Sequence, residues 1–244
     1  MDQAGYRRVA AHPALMAWAE AARPLAAAAV LASSDWRCGG TWCVGLDALP
    51  NDPDGSVDGV PLPWDVVGLD PVPLHRAQVS TTRPGYPQPS EAETEAAYRF
   101  RLNRDSAHLD GLLPVGPEKR RYVKEPHAWI LGLPLNRANA GAAPLVVWEG
   151  SHLVMQAALR ATVADQPGDW AEVDITDAYQ TARAEVFRTC RRVELPGQVG
   201  EAVILHRHLI HGVAPWADGA GAEEPGRMVA YFRPLLASVR EWVG

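Results

Sequence analysis

The stretch "VELPGQVGEAVILHRHLIHGVAPW", residues 193–216, decides the fold class. Pro196 and Gly197 mark a turn, an apolar run follows, and a second turn separates that run from another strand-like segment. Short strands punctuated by turn residues in this way are typical of a β-sandwich or barrel. We therefore begin from the expectation of a β-rich core.

The neighbouring sequence extends the strand pattern. Residues 98–103, "YRFRLN", and residues 226–236, "GRMVAYFRPLL", alternate between apolar and polar side chains, which predicts strands with two different faces. Residues 127–136, "HAWILGLPLN", and residues 143–152, "APLVVWEGSH", are predicted to contain strands that are buried on both faces.

Three segments have helical character instead. Residues 13–32 are rich in Ala and Leu, with a break or a new first turn expected at Pro24, and residues 152–163 and 176–188 are predicted helices within the β-rich half. The predicted fold class is therefore mainly β with flanking helices, in which the helices pack outside a sandwich or barrel.

The bulk composition is ordinary for a globular protein. The chain has 244 residues, 47% of them apolar and 21% charged, and it contains 21 Gly and 21 Pro. A net charge of −6 does not favour binding to a polyanion, so no nucleic-acid partner is expected. No apolar run approaches the roughly 18 residues that would span a bilayer, so no membrane association is expected either.

The domain organisation predicted from the sequence is simple. No internal repeat or linker-like segment interrupts the chain, which predicts one domain over residues 1–244 with an N-terminal helical part over about 1–35. Cys38, Cys43 and Cys190 lack the spacing of a metal-binding cluster, and reduced thiols in a cytoplasmic protein are expected.

A candidate site begins in "RDSAHLDGLLP", residues 104–114. His108 and Asp110 are two apart, so in an extended segment their side chains point the same way. The pair could be a hydrogen-bonded loop staple or two-thirds of a metal site. A histidine about a hundred residues later, His211 or alternatively His206, would complete the two-histidine, one-carboxylate set of non-haem Fe(II) sites.

Two arginines near the C-terminal end of the chain are candidate anchors for a dicarboxylate co-substrate. Arg227 and Arg233 have the same strand parity, so both are expected to face one side. A guanidinium fork binds a carboxylate through two parallel hydrogen bonds. Arg227 is the first candidate and Arg233 the reserve.

The motifs "HLDG", "APLVVWEGSH", "PGQVGEAVILHRHLIHGVAP" and "GRMVAYFRP" occur in this order. Together they resemble the phytanoyl-CoA dioxygenase family of Fe(II)/2-oxoglutarate oxygenases, over about residues 95–235. The resemblance implies a double-stranded β-helix (a cupin-like jelly roll) with its core at about 95–238. It also implies His108, Asp110 and His211 as catalytic iron ligands, because His-Gly precedes the arginine strand, and Arg227 as the 2-oxoglutarate anchor.

The activity that the resemblance implies is oxidation of a small-molecule substrate by O₂, with 2-oxoglutarate converted to succinate and CO₂. The carboxylate of Asp110 favours hydroxylation, desaturation or cyclisation over halogenation, since related halogenases have a small residue there. The alternative is a cupin-like small-molecule-binding jelly roll with a vestigial metal site and no oxygenase activity. The substrate itself is not identified by this resemblance.

A cluster of basic residues follows the HxD motif in "GPEKRRYVKEPH". Two interpretations are open: a solvated turn between strands, or a basic rim in which Arg120, Arg121 and Lys124 hold an anionic group of the substrate. The second interpretation predicts a substrate that carries a carboxylate, phosphate or sulfate.

Overall fold

The computed structural model of the protein describes residues 3–90 and 93–244. The described strands are β1 (Tyr6–Val9), β2 (Trp36–Arg37), β3 (Trp42–Cys43), β4 (Gln78–Thr82), β5 (Leu112–Val115), β6 (Arg120–Val123), β7 (Trp129–Pro134), β8 (Leu145–Trp148), β9 (Arg192–Leu195), β10 (Ala202–His206), β11 (His211–Val213) and β12 (Arg227–Phe232). The described α-helices are α1 (Pro13–Ala32), α2 (Trp64–Val67), α3 (Glu95–Asn103), α4 (Ser151–Val163), α5 (Thr176–Thr189) and α6 (Val239–Val243). The predicted class, mainly β with flanking helices, is confirmed.

Seven strands form one antiparallel sheet, in the order β1-β10-β7-β12-β4-β3-β2. Alternate residues of β12 face opposite sides of this large sheet, as the sequence pattern predicts. Met228, Ala230 and Phe232 belong to the core beneath α1, whereas Val229 and Tyr231 line cavities on the opposite face. The large sheet therefore has a buried core on one side and cavity-lining side chains on the other.

Helix α1 covers the outer face of the large sheet. Its buried residues recur with helical spacing: Leu15, Trp18, Ala19, Ala22, Ala26 and Val30. By length and composition α1 could cross a membrane, but the Trp18 ring packs edge-on against Phe232 at 5.9 Å, inside the core. The break predicted at Pro24 is wrong, because Pro24 lies on the exposed face while Ala22 and Ala26 on either side of it pack against the core.

A second, three-stranded sheet in the order β11-β8-β9 lies against the inner face of the large sheet. Leu145, Val147 and Leu195 of this small sheet pack with Ile130 and Leu205 of the large sheet. The other face of the small sheet packs in a core with α4, α5 and α6. The molecule thus has four layers: α1, the large sheet, the small sheet and a helical layer.

Two expectations need correction. The strand predicted over residues 98–103 is wrong, since this segment is the C-terminal part of α3. Helix α3 is capped by Thr94, whose Oγ1 accepts a hydrogen bond from the Ala97 N–H at 3.2 Å. In addition, the large sheet begins well before the expected core boundary at about residue 95, because β4 pairs with β12 in the middle of that sheet.

Candidate metal centre

The structure brings His108, Asp110 and His211 together. His108 and His211 are joined by two backbone hydrogen bonds, from His108 N–H to the His211 carbonyl at 2.9 Å and from His211 N–H to the His108 carbonyl at 3.1 Å. One nitrogen or oxygen atom from each of the three side chains lies within 4.8 Å of the other two. Among the described residues this is the one group of three or more His, Cys, Asp or Glu side chains with such spacing.

Both imidazoles are oriented by backbone carbonyls. His108 Nδ1 lies 2.9 Å from the Ser106 carbonyl oxygen, and His211 Nδ1 lies 2.9 Å from that of Leu209. Because a carbonyl oxygen only accepts, each Nδ1 carries the proton in the neutral ring, which leaves the lone pair of Nε2 available to a metal ion. The Nε2 atoms of His108 and His211 lie 3.1 and 3.8 Å from Asp110 Oδ1. The three lone pairs therefore converge, as metal binding requires.

A glycine that follows His211 makes this convergence possible. A Cβ atom built on Gly212 would lie 2.1 Å from the Asp105 carbonyl oxygen, so no other residue fits there without displacing the backbone. The same carbonyl accepts a hydrogen bond from Val213 N–H at 2.8 Å. The His-Gly dipeptide thus lets the segment that carries His108 pack directly against β11.

The charge balance favours an ionised Asp110 and a neutral His211. Burial alone would raise the pKa of Asp110, but the hydrogen bond with His108 and the neighbouring His211 and Arg233 hold that pKa well below its usual range. Burial lowers the pKa of His211 to about 4, so its ring is neutral at neutral pH. Both are the forms that bind a metal ion. Burial would lower the pKa of His108, but its hydrogen bond with Asp110 raises that pKa, so metal binding would displace a proton from His108.

Arg233 holds the second oxygen of Asp110. Its Nη1 donates to Asp110 Oδ2 at 3.1 Å, and its Nη2 donates to Gln78 Oε1 at 2.5 Å. Arg233 and Asp110 side chains are only 19% and 12% exposed, so this ion pair is shielded from solvent. The contact leaves Asp110 Oδ1 directed towards the two histidines.

His206, the alternative third ligand, lies elsewhere. It is the last residue of β10, and its ring packs against His152 and His208 at centroid distances of 4.9 and 5.3 Å. His206 is absent from the converging set among the described residues, in contrast to His211.

Arg227 and Arg233 face the same side of β12, but they line different cavities. The larger cavity, of about 230 Å³, contains the His108–Asp110–His211 set and Arg233. Arg227 lines a smaller neighbouring cavity, and Leu145 and Tyr231 line both. The Arg227 side chain is 9% exposed, and its guanidinium has no hydrogen bond or ion pair with any residue in the described ranges.

The basic residues proposed as a substrate rim do not line the metal-set cavity. Arg120 pairs with Asp174 at 2.5 Å and Lys124 with Glu172 at 2.7 Å, while Arg121 donates from Nη1 to a backbone carbonyl at 3.2 Å. These contacts tie the β5–β6 hairpin to the helical layer. These contacts favour the first of the two interpretations, a turn whose charges have structural partners, and none of the three residues lines the cavity.

Several cavity residues were not singled out from the sequence. Tyr231 lies between the two arginine cavities, Gln78 pairs with Arg233, and Trp42 forms part of the outer wall. Tyr231 could have been identified, because it shares strand parity with Arg227 and Arg233. Gln78 is on β4 and Trp42 on β3, whose places in the large sheet beside β12 and β4 are set by long-range topology, which no local pattern reveals.

No family model and no curated protein matches the chain. Among solved structures, it is similar to SnoK, a non-heme alpha ketoglutarate dependent carbocyclase from nogalamycin biosynthesis, with 14% identity, a TM-score of 0.51, and coverage of 96% of this chain and 81% of that one. It is also similar to AviO1 from Streptomyces viridochromogenes, with 15% identity, a TM-score of 0.47, and coverage of 97% and 92%. The match to SnoK shows a shared fold.

Proposed function

We propose that this protein is a non-haem Fe(II)/2-oxoglutarate-dependent dioxygenase of the phytanoyl-CoA dioxygenase type. The observation that carries the proposal is the convergence of His108 Nε2, Asp110 Oδ1 and His211 Nε2 at the wall of a cavity that adjoins an unpaired arginine. The order of sequence motifs and the fold shared with SnoK support it.

The strand arrangement supports a double-stranded β-helix. Four central strands of the large sheet run in the order β4-β12-β7-β10. In the small sheet, the bridge between His108 and His211 places the His108 segment beside β11, ahead of β8 and β9. Each sheet thus draws its strands from distant parts of the chain, as two interleaved Greek keys do in a jelly roll. The metal set lies where the two sheets meet at one end.

The residues present fit Fe(II). Two neutral imidazoles and one carboxylate on one side of a metal leave the opposite positions open for a chelating co-substrate and O₂. When bound, Fe(II) supplies the oxidation chemistry: O₂ and 2-oxoglutarate are consumed, succinate and CO₂ are released, and a substrate C–H bond is oxidised. The protein holds the ligands in place through the Ser106 and Leu209 carbonyls and Arg233.

Arg227 is proposed as the anchor for the distal carboxylate of 2-oxoglutarate. Its guanidinium is nearly buried and has no partner among the described residues, so a carboxylate would supply the missing one. Arg233 already donates to Asp110 and Gln78, and it touches a proposed metal ligand. We therefore give Arg233 a positioning role and not the anchoring role. Tyr231 lines both cavities, and its hydroxyl is a second candidate donor.

Anaerobic absorption spectroscopy tests the proposal directly. The protein mixed with Fe(II) and 2-oxoglutarate should develop the weak visible charge-transfer band of a chelated co-substrate. His108→Ala, Asp110→Ala and His211→Ala should each lose it, and His206→Ala is the matched control that should keep it. A band that survives in His211→Ala and disappears in His206→Ala would contradict the proposed ligand set.

Succinate release separates the oxygenase from a jelly-roll binder without activity. The parent protein with O₂, Fe(II) and 2-oxoglutarate should form succinate, slowly without substrate and faster with it. A protein that forms the absorption band but never forms succinate would instead be a binding protein with a vestigial site.

A further inference from the structure

The mouth of the metal-set cavity has apolar walls that the proposed chemistry does not require. One wall is formed by residues of β3 and the loop after it: Trp42, Val44 and Leu46. Val213 of β11 also lines the cavity. Leu46 is 59% exposed, a high value for a leucine in a folded domain. Apolar side chains at the open end of a cavity mark a surface that a ligand covers.

The polar side chains of the same cavity are engaged with one another. Trp42 Nε1 donates to Ser80 Oγ at 3.0 Å, and Arg233 donates to Asp110 and Gln78 at 3.1 and 2.5 Å. The charges that line the cavity therefore already have partners within the metal set. A charged group of a substrate would lose its hydration here without gaining an opposite charge, which is unfavourable.

Beyond the cavity lies a groove that is apolar except for Ser33 and Asp35. Leu46 also lines this shallow groove with Ala29, Val30 and Ala48, between the C-terminal part of α1 and the loop that follows β3. A substrate that reaches the metal set can therefore continue outward along apolar atoms.

We infer that the substrate of this enzyme is an uncharged, largely apolar small molecule. Its reacting end lies beside the metal set, and its body lies against Trp42, Leu46 and Val213 and extends towards the groove. This inference rests on the proposed function and specifies the substrate class. It differs from the anionic substrate that one interpretation of the basic cluster predicts, in which Arg120 and Lys124 are paired with Asp174 and Glu172 instead.

A matched pair of fluorescent probes tests this inference. N-phenyl-1-naphthylamine is neutral, and 8-anilinonaphthalene-1-sulfonate has the same ring systems with an added sulfonate. Titrated into the full chain at ordinary ionic strength, the neutral probe should bind one per chain and about tenfold or more tighter than the sulfonate, since burying an unpaired charge is costly. Equal or tighter binding of the sulfonate would overturn the inference.

A substitution at the mouth locates the probe. Leu46→Lys should weaken binding of the neutral probe. It should also reduce the ratio of the two probe affinities by about fivefold, because the new cation attracts the sulfonate. Leu153→Lys, at a leucine that is 54% exposed on α4 in the helical layer, is the control and should change neither affinity. Identical behaviour of the two variants would place the probe elsewhere and overturn the inference.

The two proposals fail in different measurements. Leu46 is outside the ligand set, so Leu46→Lys should keep the charge-transfer band of the parent with Fe(II) and 2-oxoglutarate. A parent that shows the probe preference without the band would refute the oxygenase function. A parent that shows the band but prefers the sulfonate would refute the substrate class alone.

Discussion

At the scale of single residues, the two arginines of β12 are distinguished by their partners. Arg227 is nearly buried and has no ionic partner in the described ranges, whereas Arg233 already bridges Asp110 and Gln78. Strand parity does not distinguish the two arginines, and the sequence made Arg227 the first candidate and Arg233 the reserve. Under the proposed function, their different surroundings predict different losses on substitution: lower co-substrate affinity for Arg227, and lower metal affinity for Arg233.

Substitution of Arg227 should act on the co-substrate. A charge-assisted bidentate contact contributes about 1.5–3 kcal/mol, so Arg227→Ala should raise the KM for 2-oxoglutarate about ten- to a hundredfold. Arg227→Lys should recover only part of this loss, because an ammonium cannot reproduce the fork. Steady-state succinate assays over a range of 2-oxoglutarate concentrations measure both.

Substitution of Arg233 should act on the metal. Arg233→Gln removes the donor that holds Asp110 Oδ2, and loss of such outer partners typically weakens metal binding about ten- to a hundredfold. Titration with Fe(II) under anaerobic conditions measures the change. If Arg233→Gln instead gives the larger increase in the KM for 2-oxoglutarate, Arg233 is the anchor and the two roles are reversed.

The sequence could predict His108 and Asp110 from their local spacing, whereas His211, about a hundred residues later, was predicted from the resemblance of the ordered motifs. His108 and Asp110 are two apart, and the glycine after His211 marks a close approach of two backbones. The role of the basic segment could not be predicted in this way. Arg120 finds Asp174 and Lys124 finds Glu172, more than forty residues along the chain, and no local pattern encodes such pairings.

At the scale of elements, helices with a wide buried stripe were predictable and α3 was not. The predicted helices correspond to α1, α4 and α5, each of which buries residues at helical spacing. Helix α3 has no fully buried residue, so its sequence carries no such stripe. In a run of only six alternating residues, Tyr98 and Leu102 share a face in a helix as well as in a strand. The strand period of two residues and the helix period of 3.6 residues therefore cannot be distinguished over that length.

The cap of α3 provides a test of this correction. Thr94→Ala removes the acceptor for the Ala97 N–H and should destabilise the helix by about 1 kcal/mol, whereas Thr94→Ser should retain the cap. Because α3 has no fully buried residue, the effect should appear as faster amide hydrogen exchange within residues 95–103 and not as a large change in global stability. Unchanged exchange in Thr94→Ala would argue against a capped helix here.

At the scale of the whole molecule, the site depends on pairings between distant segments. Tyr6 of β1 pairs with Leu205 of β10, and β7 lies between β10 and β12. The sequence predicts that β7, β8 and β12 exist but not their order, because strand order reflects the global packing of both sheets. The cavity between those sheets, and hence its apolar mouth, was beyond prediction for the same reason.

A buried histidine at the junction of the small sheet and the helical layer links the stability of the molecule to pH. His208 is fully buried, its two ring nitrogens have no hydrogen-bond partner among the described residues, and its ring packs edge-on against Trp242 at 4.3 Å. Burial is the main cause that lowers the pKa of His208 to about 2. The neighbouring His206 and Arg207 contribute smaller decreases. Burial likewise lowers the pKa of His206 to about 4. The folded state therefore keeps both rings neutral.

The sign of the pH effect follows from proton uptake. In the unfolded chain a histidine has a pKa near 6.5, so below that pH the unfolded state binds protons that the folded state does not. Each ring then lowers the free energy of unfolding by up to about 1.4 kcal/mol per pH unit as the pH falls from 6.5 towards 4. His208→Leu removes one of these contributions and also an unpaired buried polar group, which should stabilise the protein at pH 7.

The free energy of unfolding of His208→Leu should therefore fall less steeply with decreasing pH than that of the parent, by up to about 1.4 kcal/mol per pH unit. Urea denaturation at several values between pH 6.5 and 4.5 measures both slopes. Leu159→Met, a repacking change in the same core as Trp242, is the control, and its pH dependence should run parallel to the parent's. If the His208→Leu and parent curves are also parallel, His208 takes up a proton in the folded state, and the neutral buried ring described above is wrong.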